Sequence, residues 1–354
     1  MQNRAFAFRA GTAMAVVSLV AAPLAGCSGS SSAIPGVPGS PASASGSPAS
    51  VHMNVPPAAD SMGSAAEQPD KKKKSTLLFV SDNENNKISV YNAAGKAQNP
   101  APLRTITSGI SAPNGIATDK SGNLYVANSF AGTVTVYGPN SSTPKTTIAN
   151  GLNDPFDVKV DGFGNIYVAN DPFYGTAYIA EYPAGSSSPS TTWSVPQQGM
   201  TISGIALLNP TMQGETSIYA LAYTENPSTG ATGYGLSCYP GNGTCVSMGE
   251  TFGQTGGIEI AQSPVAGKTF QWLAVDQYVP GVDIFTQGKP MGQLVTGGTP
   301  EFLTLNAAGN RLFVVDRFYG NADEYSYPAG KKLNAFAGGA QPYGVAVYPS
   351  GTMH

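Results

Sequence analysis

Histidine is scarce in this 354-residue chain: the two copies are His52, in a Ser/Ala/Gly/Pro-rich stretch, and His354, the last residue. A histidine general base, a Ser-His-Asp relay or imidazole metal ligation therefore has nothing to draw on in the body of the chain. Ser, Cys and Lys nucleophiles have no base placed beside them, and no Gly-rich phosphate loop follows a strand and opens a helix. Cys238 and Cys245 bracket Pro240-Gly241-Asn242-Gly243, strong turn chemistry. The two are expected to face each other across a hairpin and form a disulfide in an oxidising compartment, since two thiols without histidine make a poor metal site. The remaining candidates are aromatic. Phe130, Phe173, Tyr174, Tyr278, Phe318 and Tyr319 each follow closely on Asn128, Asn170, Asp276 or Asp316. Such rings either pack between neighbouring elements or offer a stacking, amphipathic surface to a ligand.

The elements that position them repeat. Asn123-Leu124-Tyr125-Val126-Ala127-Asn128 returns as Asn165-Ile166-Tyr167-Val168-Ala169-Asn170, with looser copies towards the C-terminus. Self-similarity at this period indicates a repeat architecture. From about residue 76 to 351 the chain is rich in Val, Ile, Tyr, Thr and Gly and lacks any long 3.6-residue periodicity, so short strands between Gly, Asn, Asp and Pro turns are expected. An aromatic closing one strand per repeat, at Tyr91, Tyr137, Tyr182, Tyr239, Phe285 and Tyr327, marks six units. Each has the length of a four-stranded antiparallel propeller blade. The first unit lacks an inner strand before Leu77, and Gly344-Val345-Ala346-Val347 has no blade after it. The fold class is thus all-β, a six-bladed β-propeller whose C-terminal strand completes blade one and hides the sheet edges.

In such a blade, the approach to the inner strand and the loop between the second and third strands lie at one end. Asn114, Phe156, Ser203, Glu301 and Tyr343 should therefore ring the same channel mouth as the aromatic loops. The Asx residues closing the second strands, Asp82, Asn128, Asn170, Asp276 and Asp316, are expected to pin tight turns through backbone N–H groups.

The segment from Pro113 to Asn128, ending in Val134-Thr135-Val136-Tyr137, resembles an NHL repeat. The wider pattern is similar to SMP-30/gluconolactonase-like six-bladed propellers. Thr133 and Ala177 stand where NHL repeats often carry a basic residue, which points away from RNA-binding members. The resemblance to SMP-30 implies an alternative function, a Ca²⁺-class ion at the mouth serving a lactonase or other hydrolase. Asn114 and Glu301 would be its oxygen donors. Asp157 falls one residue late, so strand alternation would turn it away from the other two. No cofactor is otherwise implied. The preferred reading is a non-enzymatic binding or scaffolding module for a protein, peptide or glycan.

The N-terminus carries an address. Arg4 and Arg9 precede the apolar run 13–22, which is too short to span a bilayer, so residues 1–26 are expected to be a signal peptide. Leu24-Ala25-Gly26-Cys27 resembles the bacterial lipobox, implying lipidation of Cys27. Ser28 after it implies outer-membrane delivery. Residues 27–75, nearly all Ser, Ala, Gly and Pro before Lys71-Lys72-Lys73-Lys74, are too poor in apolar groups to fold and should form a tether with an r.m.s. reach of roughly 35–40 Å. Removing Arg4 and Arg9 from 18 basic groups leaves 16 against 21 acidic ones, a balance of −5. With so few charges and no basic cluster in the body, nucleic acid is not an expected partner, and the domain is expected to be monomeric.

Overall fold

The computed structural model describes residues 76–350 except residue 96 and residues 173–174, 209–215, 227–229, 239–242, 262–270 and 287–288. Cys27, the signal and tether segments, Phe173, Tyr174 and Tyr239 lie outside the described residues. Blade one contains β1 (Leu77–Asp82), β2 (Lys87–Asn92) and β3 (Arg104–Ile106). Blade two is β4 (Pro113–Thr118), β5 (Leu124–Asn128), β6 (Thr133–Tyr137) and β7 (Pro144–Ile148). Blade three is β8 (Pro155–Val160), β9 (Ile166–Asn170), β10 (Tyr178–Tyr182) and β11 (Thr191–Ser194). Blade four is β12 (Thr201–Leu208), β13 (Ser217–Asn226), β14 (Gly230–Cys238) and β15 (Val246–Phe252). Blade five is β16 (Thr255–Ala261), β17 (Gln271–Asp276), β18 (Gly281–Thr286) and β19 (Lys289–Val295). Blade six is β20 (Pro300–Leu305), β21 (Arg311–Asp316), β22 (Asn321–Ser326) and β23 (Lys332–Ala337).

The last strand, β24 (Pro342–Tyr348), pairs antiparallel with β1, matching Leu78 to Val347 and Val80 to Val345. The sheet order β24-β1-β2-β3 supplies the inner strand that blade one lacks. Six sheets of four antiparallel strands result, and the described residues contain no helix. The innermost strands are β24, β4, β8, β12, β16 and β20.

Each inner strand begins with the same defect. Register slips between Pro113 and Ile116, Pro155 and Asp157, Ile202 and Gly204, Thr255 and Ile258, and Pro300 and Leu303; β24 slips against β1 between Val80 and Asp82. A bulge re-aims a side chain and sharpens twist. Below it the strands crowd together. A Cβ added to Gly204 would lie 2.8 Å from Gly257 Cα, and one added to Gly257 would lie 2.8 Å from Phe302. The close approach of these backbones leaves no room for a side chain there.

In three repeats the tyrosine closing a strand does more than fill space. Tyr137 donates to Ser108 O at 2.6 Å and Tyr182 to Asn150 O at 2.7 Å, while Tyr91 donates to Ala337 O. Each hydroxyl thus fastens its blade to the segment arriving from the blade before. Cys238 and Cys245 form the expected disulfide. Its hairpin docks on blade three, with Cys245 N donating to Ser194 O at 2.8 Å and both cysteines buried in a cluster with Trp193.

β24 buries Val345, Ala346 and Val347. Burying a Val-sized side chain contributes about 1.5–3 kcal/mol. Losing this strand also leaves the inner edge of β1 unpaired, a total comparable with the net stability of a whole domain, about 5–15 kcal/mol. Deleting residues 342–354 should therefore abolish the cooperative thermal transition; a truncated chain melting cooperatively at the original temperature would refute ring closure.

Candidate functional site

The bulges raise Asn114, Phe156, Ser203, Glu301 and Tyr343 to the mouth of the channel. In five blades the residue just after the second strand is held alongside by a backbone bond to the approach of the inner strand. Asn83 N donates to Gln341 O at 2.9 Å, Ser129 N to Ala112 O at 3.1 Å, and Asp171 N to Asp154 O at 3.1 Å. Gln277 N donates to Gln254 O at 2.8 Å and Arg317 N to Thr299 O at 2.9 Å. The side chains of Asn83, Gln277 and Arg317 are thereby delivered to the mouth.

They engage the predicted residues directly. Arg317 Nε lies 2.9 Å from Glu301 Oε1 as an ion pair, and Gln277 Nε2 donates to Glu301 Oε2 at 2.7 Å. Arg317 Nη1 donates to Tyr343 OH at 2.8 Å. Asn83 Nδ2 donates to Asn114 Oδ1 at 2.8 Å. Asp157 sits one layer below, fully buried: Ile205 N of blade four donates to its Oδ2 at 2.9 Å, and Lys159 Nζ lies 3.3 Å away. Asn114, Glu301 and Asp157 therefore each have a partner from the chain itself. Among the described residues, no three or more His, Cys, Asp or Glu side chains form a group able to hold a metal ion.

Aromatic rings meet across the channel axis. Phe156 of blade three meets Phe302 of blade six, with ring centroids 6.0 Å apart, and Tyr343 of blade one edge-on at 6.4 Å. Beneath them Lys159, Glu259, Thr118 and Thr304 help line a cavity of about 20 Å³, room for roughly one water molecule. A sugar or lactone does not fit there. Burial pushes the Glu259 carboxyl up to about 7, with Lys159 opposing and Asp157 reinforcing the rise. Burial likewise pushes Glu301 up to about 7 against the pull of Arg317.

The Asx residues of the second strands pin turns, as their type suggests. Asp82 accepts from Ala340 N and Gln341 N, Asn128 from Ser111 N, Asn170 from Asn153 N, and Asp276 from Tyr278 N and Val279 N. The aromatic loops carry exposed rings. Phe130 is 65% exposed, Tyr278 82%, Phe318 73% and Tyr319 61%. The Phe318 and Tyr319 rings meet edge to face, 5.1 Å between centroids. Tight turns anchored at Asp276 and Asp316 project these rings outward, because the carboxylates hold the following backbone N–H groups and leave the side chains no inward path. Gln277 and Arg317, absent from the sequence-based set, follow the second-strand Asp in their repeats; aligning the repeats at that position would have found them.

The fold is that of a six-bladed β-propeller. No protein-family model and no curated protein matches the sequence. Among solved structures, a chain in the crystal structure of a nidogen/laminin complex is similar at 14% identity and a TM-score of 0.55, over 77% of this chain and 98% of that one. Hydrazine synthase of Kuenenia stuttgartiensis gives 13% identity and a TM-score of 0.45, over 70% of this chain and 72% of that one. A functionally unknown protein from Desulfotomaculum acetoxidans gives 15% and 0.46, over 72% and 77%. At these identities the likeness is one of fold.

The two buried carboxyls set a pH signature. An unfolded Glu loses its proton near pH 4.3, whereas Glu259 and Glu301 keep theirs to about 7. Between these values the folded chain binds more protons, so their stabilising effect is complete below about pH 4 and is lost as pH rises through 7. Replacing Glu259 by Gln should raise the melting temperature more at pH 8 than at pH 5. An increment independent of pH would contradict the assignment.

Proposed function

We propose that this chain is an NHL-like, lipid-anchored propeller of the cell envelope that binds a partner through its exposed aromatic loops. The observation that carries the reading is the exposure of Phe130, Tyr278, Phe318 and Tyr319 at one end of three blades. Aromatic residues together with an arginine, here the partly exposed Arg317, are the groups that anchor protein interfaces. The rings meeting across the axis and the small cavity beneath them favour contact on this surface over capture of a small molecule inside. A protein or peptide partner fits this chemistry best, with a glycan as the competing outcome. A hydrolytic reading would require Glu301 to leave Arg317 and Gln277 before it could serve a metal, which makes it the weaker use of the same residues.

Substituting Tyr278, Phe318 and Tyr319 together by Ala should reduce partner capture from an envelope lysate at least tenfold while shifting the melting temperature by no more than about 2 °C, since exposed positions carry little stability. Undiminished capture would place the interface elsewhere. Peptide or glycan competitors added to the pull-down separate peptide from carbohydrate binding.

The anchor is tested separately. The Cys27→Ser chain should lose incorporation of labelled fatty acid and move from the membrane to the soluble fraction. Retention of label would exclude Cys27 as the acylated residue.

A further inference from the structure

Blade six holds a cluster of which only Asp316 serves the aromatic surface, through its Oδ1 and the turn that carries Phe318 and Tyr319. Asp316 pairs across the sheet with Asn321, and Asp323 follows two residues later, so all three side chains stand on one face. Asp316 and Asp323 are both 2% exposed. Three buried oxygens here accept no hydrogen bond: Asp316 Oδ2, Asn321 Oδ1 and Asp323 Oδ1. An orphaned buried acceptor costs about 1–3 kcal/mol, and more when charged.

The other blades show how this position is normally satisfied. In blade two the register-equivalent trio is Asn128, Thr133 and Thr135, and Asn128 Nδ2 reaches Thr135 Oγ1 at 2.9 Å and Thr133 Oγ1 at 3.5 Å. Side chains at these three positions therefore converge. In blade one the trio is Asp82, Lys87 and Ser89, and Lys87 Nζ lies 3.4 Å from Asp82 Oδ2. A cation of the chain's own occupies that place. In blade five, Asp276 and Asp283 flank Gly281, and Gln293, directly opposite Asp283, bonds to it. Blade six has two carboxylates, no ammonium between them, and Ala335 and Ala337 opposite Asp323 and Asn321. The alanines supply neither donor nor bulk.

We infer that Asp316, Asn321 and Asp323 form a Ca²⁺ site, the bound ion standing where Lys87 places its ammonium in blade one. Two carboxylates and one amide carbonyl are the hard oxygen donors this ion selects, with water completing the shell. Asp316 keeps its turn, since its Oδ1 accepts from Thr299 N at 3.1 Å and Tyr319 N at 3.0 Å. Asp323 Oδ2 is held by Lys332, a half-exposed side chain that leaves Oδ1 for the ion. Asp316 also packs under Gly298, as Asp82 does under Gly339, and that arrangement does not stop Lys87 from reaching Asp82. With three protein ligands and one neighbouring ammonium, the affinity belongs with extracellular modules, about 10⁻⁴–10⁻³ M. The site shares Asp316 with the turn that carries Phe318 and Tyr319 but uses its other carboxylate oxygen, and neither reading depends on the other.

The test uses the full-length chain in detergent, stripped with EDTA and dialysed, then titrated with CaCl₂ to 10 mM by calorimetry and thermal melting. The expected result is one saturable site and a rise in melting temperature of about 2–6 °C. Asn321→Lys combined with Asp323→Ser imports the blade-one solution. It should raise the calcium-free melting temperature and abolish both the heat and the shift. The isosteric Asp323→Asn chain should weaken binding at least tenfold, and Glu301→Ala should leave it unchanged. Absence of a calcium response in the wild-type chain, or an unaltered response in both blade-six variants, would overturn the site.

Discussion

Six strands converge on one axis, and the space their backbones leave there admits few side chains. Gly115 packs against Asp157, Gly204 against Gly257, Gly257 against Phe302 and Gly344 against the Asn114 backbone. Every other feature of the propeller accommodates this crowding. The bulge at the start of the inner strand carries Asn114, Phe156, Ser203, Glu301 and Tyr343 in five blades, while blade five has Gly256 and Gly257 at that place. Below them the layer containing Ala117, Ala206 and Ala346 is small for the same reason, and Lys159, Glu259 and Thr304 occupy what room remains.

Polarity inside that narrow space is balanced locally. Lys159 answers Asp157, while Glu259 is carried up to about 7 by burial. A buried charge without a partner would be costly, so a raised carboxyl is the cheaper state. At the mouth, Arg317 does for Glu301 what Lys159 does for Asp157. The guanidinium also reaches Tyr343 and thereby ties blade six to blade one, the blade completed by the last strand.

Much of this was legible in the residues. The repeat spacing, the missing inner strand before Leu77 and the surplus strand at Gly344–Val347 led to a closed ring, because hydrophobic alternation and turn residues are local properties. Pro-Gly-Asn-Gly between Cys238 and Cys245 led to the disulfide on the same ground. The turn-pinning role of Asp82, Asn128, Asn170, Asp276 and Asp316 also followed from side-chain type. Arg317 and Gln277 escaped notice: the Asp before each marks its place in the repeat, but their importance arises from Glu301, brought near by blade packing.

The amino-acid order alone determined the number of blades and the closing partner of β1. These depend on period-two alternation and on turns of a few residues. Tertiary structure alone decided that Glu301 is matched by Arg317, that Phe156 crosses the axis to Phe302, and that blade six leaves three oxygens unanswered. Those outcomes depend on distances between blades, and a side chain's partner across a ring is set by packing rather than by its neighbours in sequence.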